Sequence, residues 1–130
     1  MAVDGLITLP SRAGPKETMD RLAAAVRDNG MTVFARIDHA AGAVDAGLAL
    51  PATELLIFGN ARGGTPLMQS APTIGIDLPL KALVWQDSAG KTFLAYNDPL
   101  WLARRHGLGT PPAAEAMTAA LKALAAAATA

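Results

Sequence analysis

The apolar runs of this chain are all short, and nearly every one stops at a glycine, a proline or an aspartate. That punctuation limits the fold to short strands and modest helices laid on one another. Residues 3–9 are an apolar run ended by Pro10-Ser11 and predict a first strand at an edge. Gly14-Pro15 opens a helix, with proline where its missing N–H costs nothing. Met19, Leu22, Ala23 and Val26 line its apolar face, and Asn29-Gly30 closes it. Residues 31–38 alternate: Val33, Ala35 and Ile37 are expected on one face, Thr32, Phe34 and Arg36 on the other. Asp38 ends this strand and is placed to cap a short helix over 39–48.

Residues 51–58 predict a strand buried on both faces, since Leu55 to Phe58 is continuously apolar. A glycine-rich loop over 59–66 follows, with Thr65 as helix cap and Pro66 in the first turn. Residues 78–87 and 91–98 predict a hairpin around Asp87-Ser88-Ala89-Gly90. Leu83, Trp85 and Phe93 have one parity on it; Val84, Leu94 and Tyr96 have the other. Asp98-Pro99 caps a helix over 99–106, and Pro111-Pro112 opens an alanine-rich helix over 111–128, packed through Met117, Leu121, Leu124 and Ala128. The expected order is β-α-β-α-β-α-β-β-α-α. This is an α+β fold with a single mixed sheet, a C-terminal hairpin and helices packed on it, in one domain over 1–130.

Composition narrows the chemistry. Eleven basic residues balance eleven acidic ones, which argues against nucleic acid or an anionic membrane held by bulk charge. Cysteine is absent, so thiolate catalysis, disulfides and cysteine-ligated metals are excluded. With only two histidines and no ligand spacing, no metal and no cofactor are expected. The first residues carry no basic stretch or long apolar run, and the expectation is a cytoplasmic protein.

Three polar positions stand out. The loop over 59–66 offers backbone N–H groups, with Asn60, Arg62 and Gly64, to an anion. Gly59 and Gly64 have the spacing of a phosphate loop, but Thr65 stands where that motif needs lysine, so nucleotide hydrolysis is excluded. The plainer alternative is a loop whose glycines only permit a turn. His39, after Asp38, sits where a neutral imidazole could act as acid or base, or simply pack locally. Asp77, in an apolar stretch, needs donors or must stay protonated. Lys81 would share its face at a distance of about 13 Å along a strand, too far to pair. Tyr96 belongs to the core or lines a cleft. Trp85 and Trp101 are expected to pack, and Arg104, Arg105 and His106 to complement a helix dipole.

Six motifs occur in order: Ile37-Asp38-His39-Ala40, Leu56-Ile57-Phe58-Gly59-Asn60, Gly64-Thr65-Pro66-Leu67-Met68, Asp77-Leu78-Pro79-Leu80-Lys81, Tyr96-Asn97-Asp98-Pro99 and Leu102-Ala103-Arg104-Arg105-His106-Gly107-Leu108. In these the chain resembles the bacterial and archaeal domain-of-unknown-function family numbered 302, most clearly over 31–108. It departs from the family in carrying Ala61 where proline usually follows the Gly-Asn pair. The resemblance implies a compact α+β domain, often a homodimer, with no settled activity. The family's recurring polar positions fall on Asp38, His39, Gly59, Asn60, Asp77, Lys81 and Tyr96.

The expected function is binding or sensing of a small polar or anionic metabolite by a homodimer. The ligand would meet His39, Asn60, Arg62, Gly64, Asp77, Lys81 and Tyr96 in one pocket. The alternatives are an acid–base isomerase or hydrolase, with His39 as base and Asp77 or Tyr96 assisting, and a self-association module built on the alanine-rich helix.

Overall fold

A computed structural model describes residues 2–130. The elements are β1 (Leu6–Ser11), α1 (Pro15–Asp28), β2 (Thr32–Asp38), α2 (His39–Asp45), β3 (Thr53–Gly59), α3 (Ala61–Ser70), a 3-10 turn (Pro72–Ile76), β4 (Leu80–Gln86), β5 (Thr92–Asn97), α4 (Pro99–Arg105) and α5 (Pro112–Thr129). The five strands form one sheet in the order β1-β5-β4-β3-β2. The α+β class and the hairpin are as expected, but the sheet is antiparallel throughout instead of mixed. The cause is topological. Strands β2 to β5 form a meander of successive neighbours, while α1 carries the chain from β1 to β2 across the width of the sheet. Three strands therefore separate β1 from β2, and no adjacent parallel pair arises.

Pairing aligns side chains in rows. Arg36, Leu56, Ala82, Tyr96 and Ile7 form one row; Asp38, Glu54, Val84, Leu94 and Leu9 form the next; both point the same way. Their central members pack with Phe58 and Leu80 against Met19, Leu22 and Val26 of α1 and Leu121 and Leu124 of α5. Met19, Val26, Leu56, Phe58 and Leu94 are fully buried, each contributing about 1.5–3 kcal/mol of burial free energy. The opposite face carries Ile37, Leu55, Leu83 and Ala95 in one row and Trp85, Phe93 and Pro10 in another. Trp85 and Phe93 stack there with ring centroids 5.5 Å apart. Leu55, Ile57, Leu83, Trp85 and Phe93 are only half-buried, unlike their neighbours on the helix-covered face. The continuous apolar run in β3 thus has one face in the core and one half-covered.

Strand β2 breaks its expected alternation. The register shifts between Val33 and Ala35, so Val33 pairs with Phe58 but Ala35 pairs with Ile57. This bulge puts Val33 and Ala35 on opposite faces, because one extra residue inverts the pleat beyond it.

Local caps follow the sequence. Asp38 accepts from Ala41 N at 2.8 Å, and Asp98 accepts from Leu100 N at 3.0 Å. Gly5 is required where it stands: its φ is +73°, and a β-carbon there would lie 2.3 Å from the Trp101 ring. The Leu78–Pro79 peptide is cis.

The stretch expected to be a glycine-rich loop is helical instead. Helix α3 starts at Ala61 with Asn60 as its cap, and Gly63, Gly64, Thr65 and Pro66 all lie inside it. Propensity alone disfavours such a helix. Asn60 Oδ1 accepts from Gly63 N at 2.7 Å, which caps the helix, and Gly64 and Leu67 are buried on its inner face. A β-carbon at Gly64 would stand 3.5 Å from Leu78 Cδ1, and one at Gly63 3.2 Å from Asn60 Oδ1.

Candidate functional site

The start of α3, the start of α5, the bulged strand β2 and the segment entering β4 enclose a cleft of about 680 Å³. Helix α5 contributes Ala113, Ala116, Met117 and Ala120; β2 and its approach contribute Asn29, Met31 and Phe34; Leu78, Pro79 and Leu80 form the far wall. Three of the five methionines, Met31, Met68 and Met117, face this space, giving it soft and adaptable walls. Its volume is within the usual range for small-molecule sites.

The polar side chains are few and, apart from Asn29, belong to the start of α3. Asn60, Arg62, Gly63, Gly64 and Thr65 line the cleft around the N-terminus of α3. Among the described residues no carboxylate lines it, and Arg62 is its one charged residue. Among the described residues Arg62 takes part in no salt bridge. The helix start adds partial positive charge to that end.

Of the residues expected to share a pocket, the cleft takes in Asn60, Arg62 and Gly64 and leaves out His39, Asp77, Lys81 and Tyr96. His39 is the exposed first residue of α2, at the end of β2. Asp77 precedes β4 at the other end of the sheet, where Leu80 pairs with Phe58 and Phe58 with Val33. Five residues of strand separate Val33 from Asp38, about 17 Å. Tyr96 lies in the helix-covered row on β5, three strand spacings from β2, about 14 Å. Burial, then the nearby charge of Asp98, holds its hydroxyl above its ordinary pKa of 10.0. An acid–base site joining His39 to Asp77 or Tyr96 therefore has no common space. Lys81 faces away from the helices, and its Nζ donates to the carbonyls of Pro79 at 3.3 Å and Asp77 at 3.4 Å.

Asp77 finds its donors elsewhere. Arg105 Nη1 donates to both of its oxygens at 2.8 Å, and His106 Nε2 lies 2.6 Å from Oδ2. The other ring nitrogen of His106 lies 2.8 Å from Thr73 Oγ1. The side chains of His106 and Asp77 are 8% and 15% exposed, so this group fastens the end of α4 to the 3-10 turn. Burial pushes the Asp77 carboxyl up, but the hydrogen bond from His106 and the charge of Arg105 outweigh it and hold the pKa below its ordinary 3.8. Sequence reasoning assigned Arg105 and His106 to the helix dipole. Their partner is 28 and 29 residues away, and only the need of Asp77 for donors hinted at it.

Fold and cleft together define a two-layer antiparallel α+β domain with an apolar cleft closed at one end by a capped helix start. The chain belongs to the family described as domain of unknown function DUF302, whose model matches residues 7–127. A crystal structure of an uncharacterised conserved DUF302 protein from Bacillus stearothermophilus has the same fold. Its TM-score is 0.77 at 21% identity, covering 98% of this chain and 97% of that one. Two relatives, both named fluoride-specific ion channel FluC 1, are from Brucella suis biovar 1 (strain 1330) and Brucella abortus biovar 1 (strain 9-941). Each is 57% identical over 105 residues, or 81% of this chain, but the match spans only 41% and 39% of their own lengths. No helix among the described residues is long and apolar enough to cross a membrane.

Proposed function

We propose that this protein is a cytoplasmic ligand-binding domain that takes a small anionic molecule in the cleft at the start of α3 and works as a homodimer. The observation that carries the reading is the cleft itself: about 680 Å³ of apolar wall with one charge, the otherwise unpaired Arg62. The half-covered apolar face that carries Leu55 and Leu83 in one row and Trp85 and Phe93 in the next supports self-association, since contiguous apolar surface left partly open marks interfaces. A thermal-shift screen over charged and neutral metabolites tests the binding. A ligand held at a hundred times its dissociation constant adds about 2.7 kcal/mol, and a screen in which no compound class raises Tm removes the support. Sedimentation of the wild type and of Trp85→Glu tests the dimer: the wild type sediments as a dimer and the variant as a monomer.

A second reading is favoured by the matched proteins. A channel must cross the bilayer by helices or a closed barrel, and this chain aligns with less than half of each relative's length. In this reading the domain is a non-spanning module that serves a fluoride channel. Sodium fluoride would then raise Tm more than sodium chloride at equal ionic strength, and equal responses exclude it.

A further inference from the structure

The walls of the cleft say more about its occupant than its charge does. A small polar anion would leave most of the space, between Met31, Phe34, Met68, Leu78 and Met117, filled with water against apolar surface. Phe34 makes the point sharply. It is 56% exposed, a large aromatic that the core does not use, and it sits at the bulge of β2 and lines the cleft. Bulges of this kind re-aim a side chain beside a functional space. Arg62 is a single positive charge at one end, with no carboxylate among the lining residues to neutralise it.

We infer that the cleft accommodates an amphipathic monoanion, a carboxylate on an extended apolar chain, with its head at Arg62 and its chain running between Phe34 and Met117. This rests on the cleft being the binding site and specifies its ligand class. A guanidinium matches a carboxylate in a bidentate pair, whereas a phosphate dianion would call for more than one cation. The apolar chain takes its affinity from the area it removes from water along the methionine walls.

Sodium decanoate, 1-decanol and sodium acetate, all below micellar concentration, are titrated into the full chain and followed by amide chemical shifts. Decanoate is expected to shift the amides of residues 60–65 and 113–120, with decanol about tenfold weaker, the ratio one charge-assisted hydrogen bond supplies. Arg62→Gln should bring decanoate to the level of decanol while leaving the Tm of the free protein unchanged. Ala116→Trp, at an exposed position on the cleft wall, should weaken both. Equal binding of decanoate and decanol, unaffected by Arg62→Gln, overturns the head-group assignment but leaves the cleft as a site. Acetate binding as well as decanoate overturns the apolar chain. Shifts confined to residues outside the cleft, or no shifts from any of the three, overturn the ligand class. A metabolite found by screening that still binds Ala116→Trp undiminished overturns the cleft itself.

Discussion

Two polar regions of this molecule lie near one another in sequence and behave oppositely. Around Asp77 both carboxylate oxygens and both ring nitrogens of His106 are used: Arg105 Nη1 on both oxygens, His106 between Asp77 and Thr73. Around Arg62 the cap Asn60 is used, but the guanidinium is not, and it stands beside an apolar hollow. Both would be singled out by eye as clusters of functional residue types. The difference is satisfaction. A polar group whose partners all lie within the chain stabilises the fold, and one left without them at a cavity is available to something else.

The comparison breaks first at Asp77. Asp77→Ala should lower stability by about 1.5–3 kcal/mol in urea unfolding, because it removes hydrogen bonds from charged donors and leaves His106 mostly buried with one partner fewer. The double variant with His106→Ala should cost less than the sum of the singles, since both act through one network. Ligand binding should be untouched; if Asp77→Ala abolishes it at full occupancy of the native state, the two regions are not separate.

The same group sets an acid limit. The folded pKa of Asp77 is held below 3.8, so its contribution is complete above that value and is lost as pH falls through the folded pKa. Asp20, lowered by hydrogen bonds from Lys16 and Arg36, adds to the same loss. In the Asp77→Ala variant the fall of stability below pH 3.8 should be shallower than in the wild type. Tyr96 acts at the other extreme: its raised pKa favours the unfolded chain as pH climbs above 10.0, where its phenolate forms first in the unfolded state.

Smaller effects sharpen the other region. Asn60→Ala should cost about 1 kcal/mol, the usual value of a helix cap. Gly64→Ala should stabilise by up to about 1 kcal/mol, because alanine favours a helix and its β-carbon would meet Leu78 and Met68 at ordinary contact distance. Gly63→Ala should gain less, since its β-carbon would press on the Asn60 oxygen at 3.2 Å. Arg62→Gln should change stability by no more than about 0.5 kcal/mol, as expected of an exposed side chain in no ion pair. A loss well beyond that would mean Arg62 is part of the fold after all.

What was legible in the chain was whatever depends on nearby residues. The caps Asp38 and Asp98 act on N–H groups two or three residues on, and the face of α5 is a matter of period. The pattern of the hairpin put Val84, Leu94 and Tyr96 on one face and Leu83, Trp85 and Phe93 on the other, because alternation on paired strands has only two outcomes; that the first set is the core was decided by where the helices pack. Where the pattern misled, a distant contact had overruled a local tendency. Gly63 and Gly64 have turn composition, yet they lie inside α3, where Asn60 caps Gly63 and Gly64 is buried against the rest of the fold. The bulge in β2 depends on its pairing with β3, and no residue type at Phe34 announces it.

The amino-acid sequence by itself therefore determined the class of fold, the ends of α1, α4 and α5 and the packed faces of α1 and α5, since each follows from hydrogen bonding and hydrophobic period within a few residues. Only the assembled tertiary structure decided that the sheet is wholly antiparallel, that Asp77 is answered by Arg105 and His106, and that Arg62 is the one charged residue lining the cleft among the described residues. Those outcomes depend on which distant groups reach one another once the chain is closed. The burial that brings them together is non-directional and leaves no local mark on the residues that will meet.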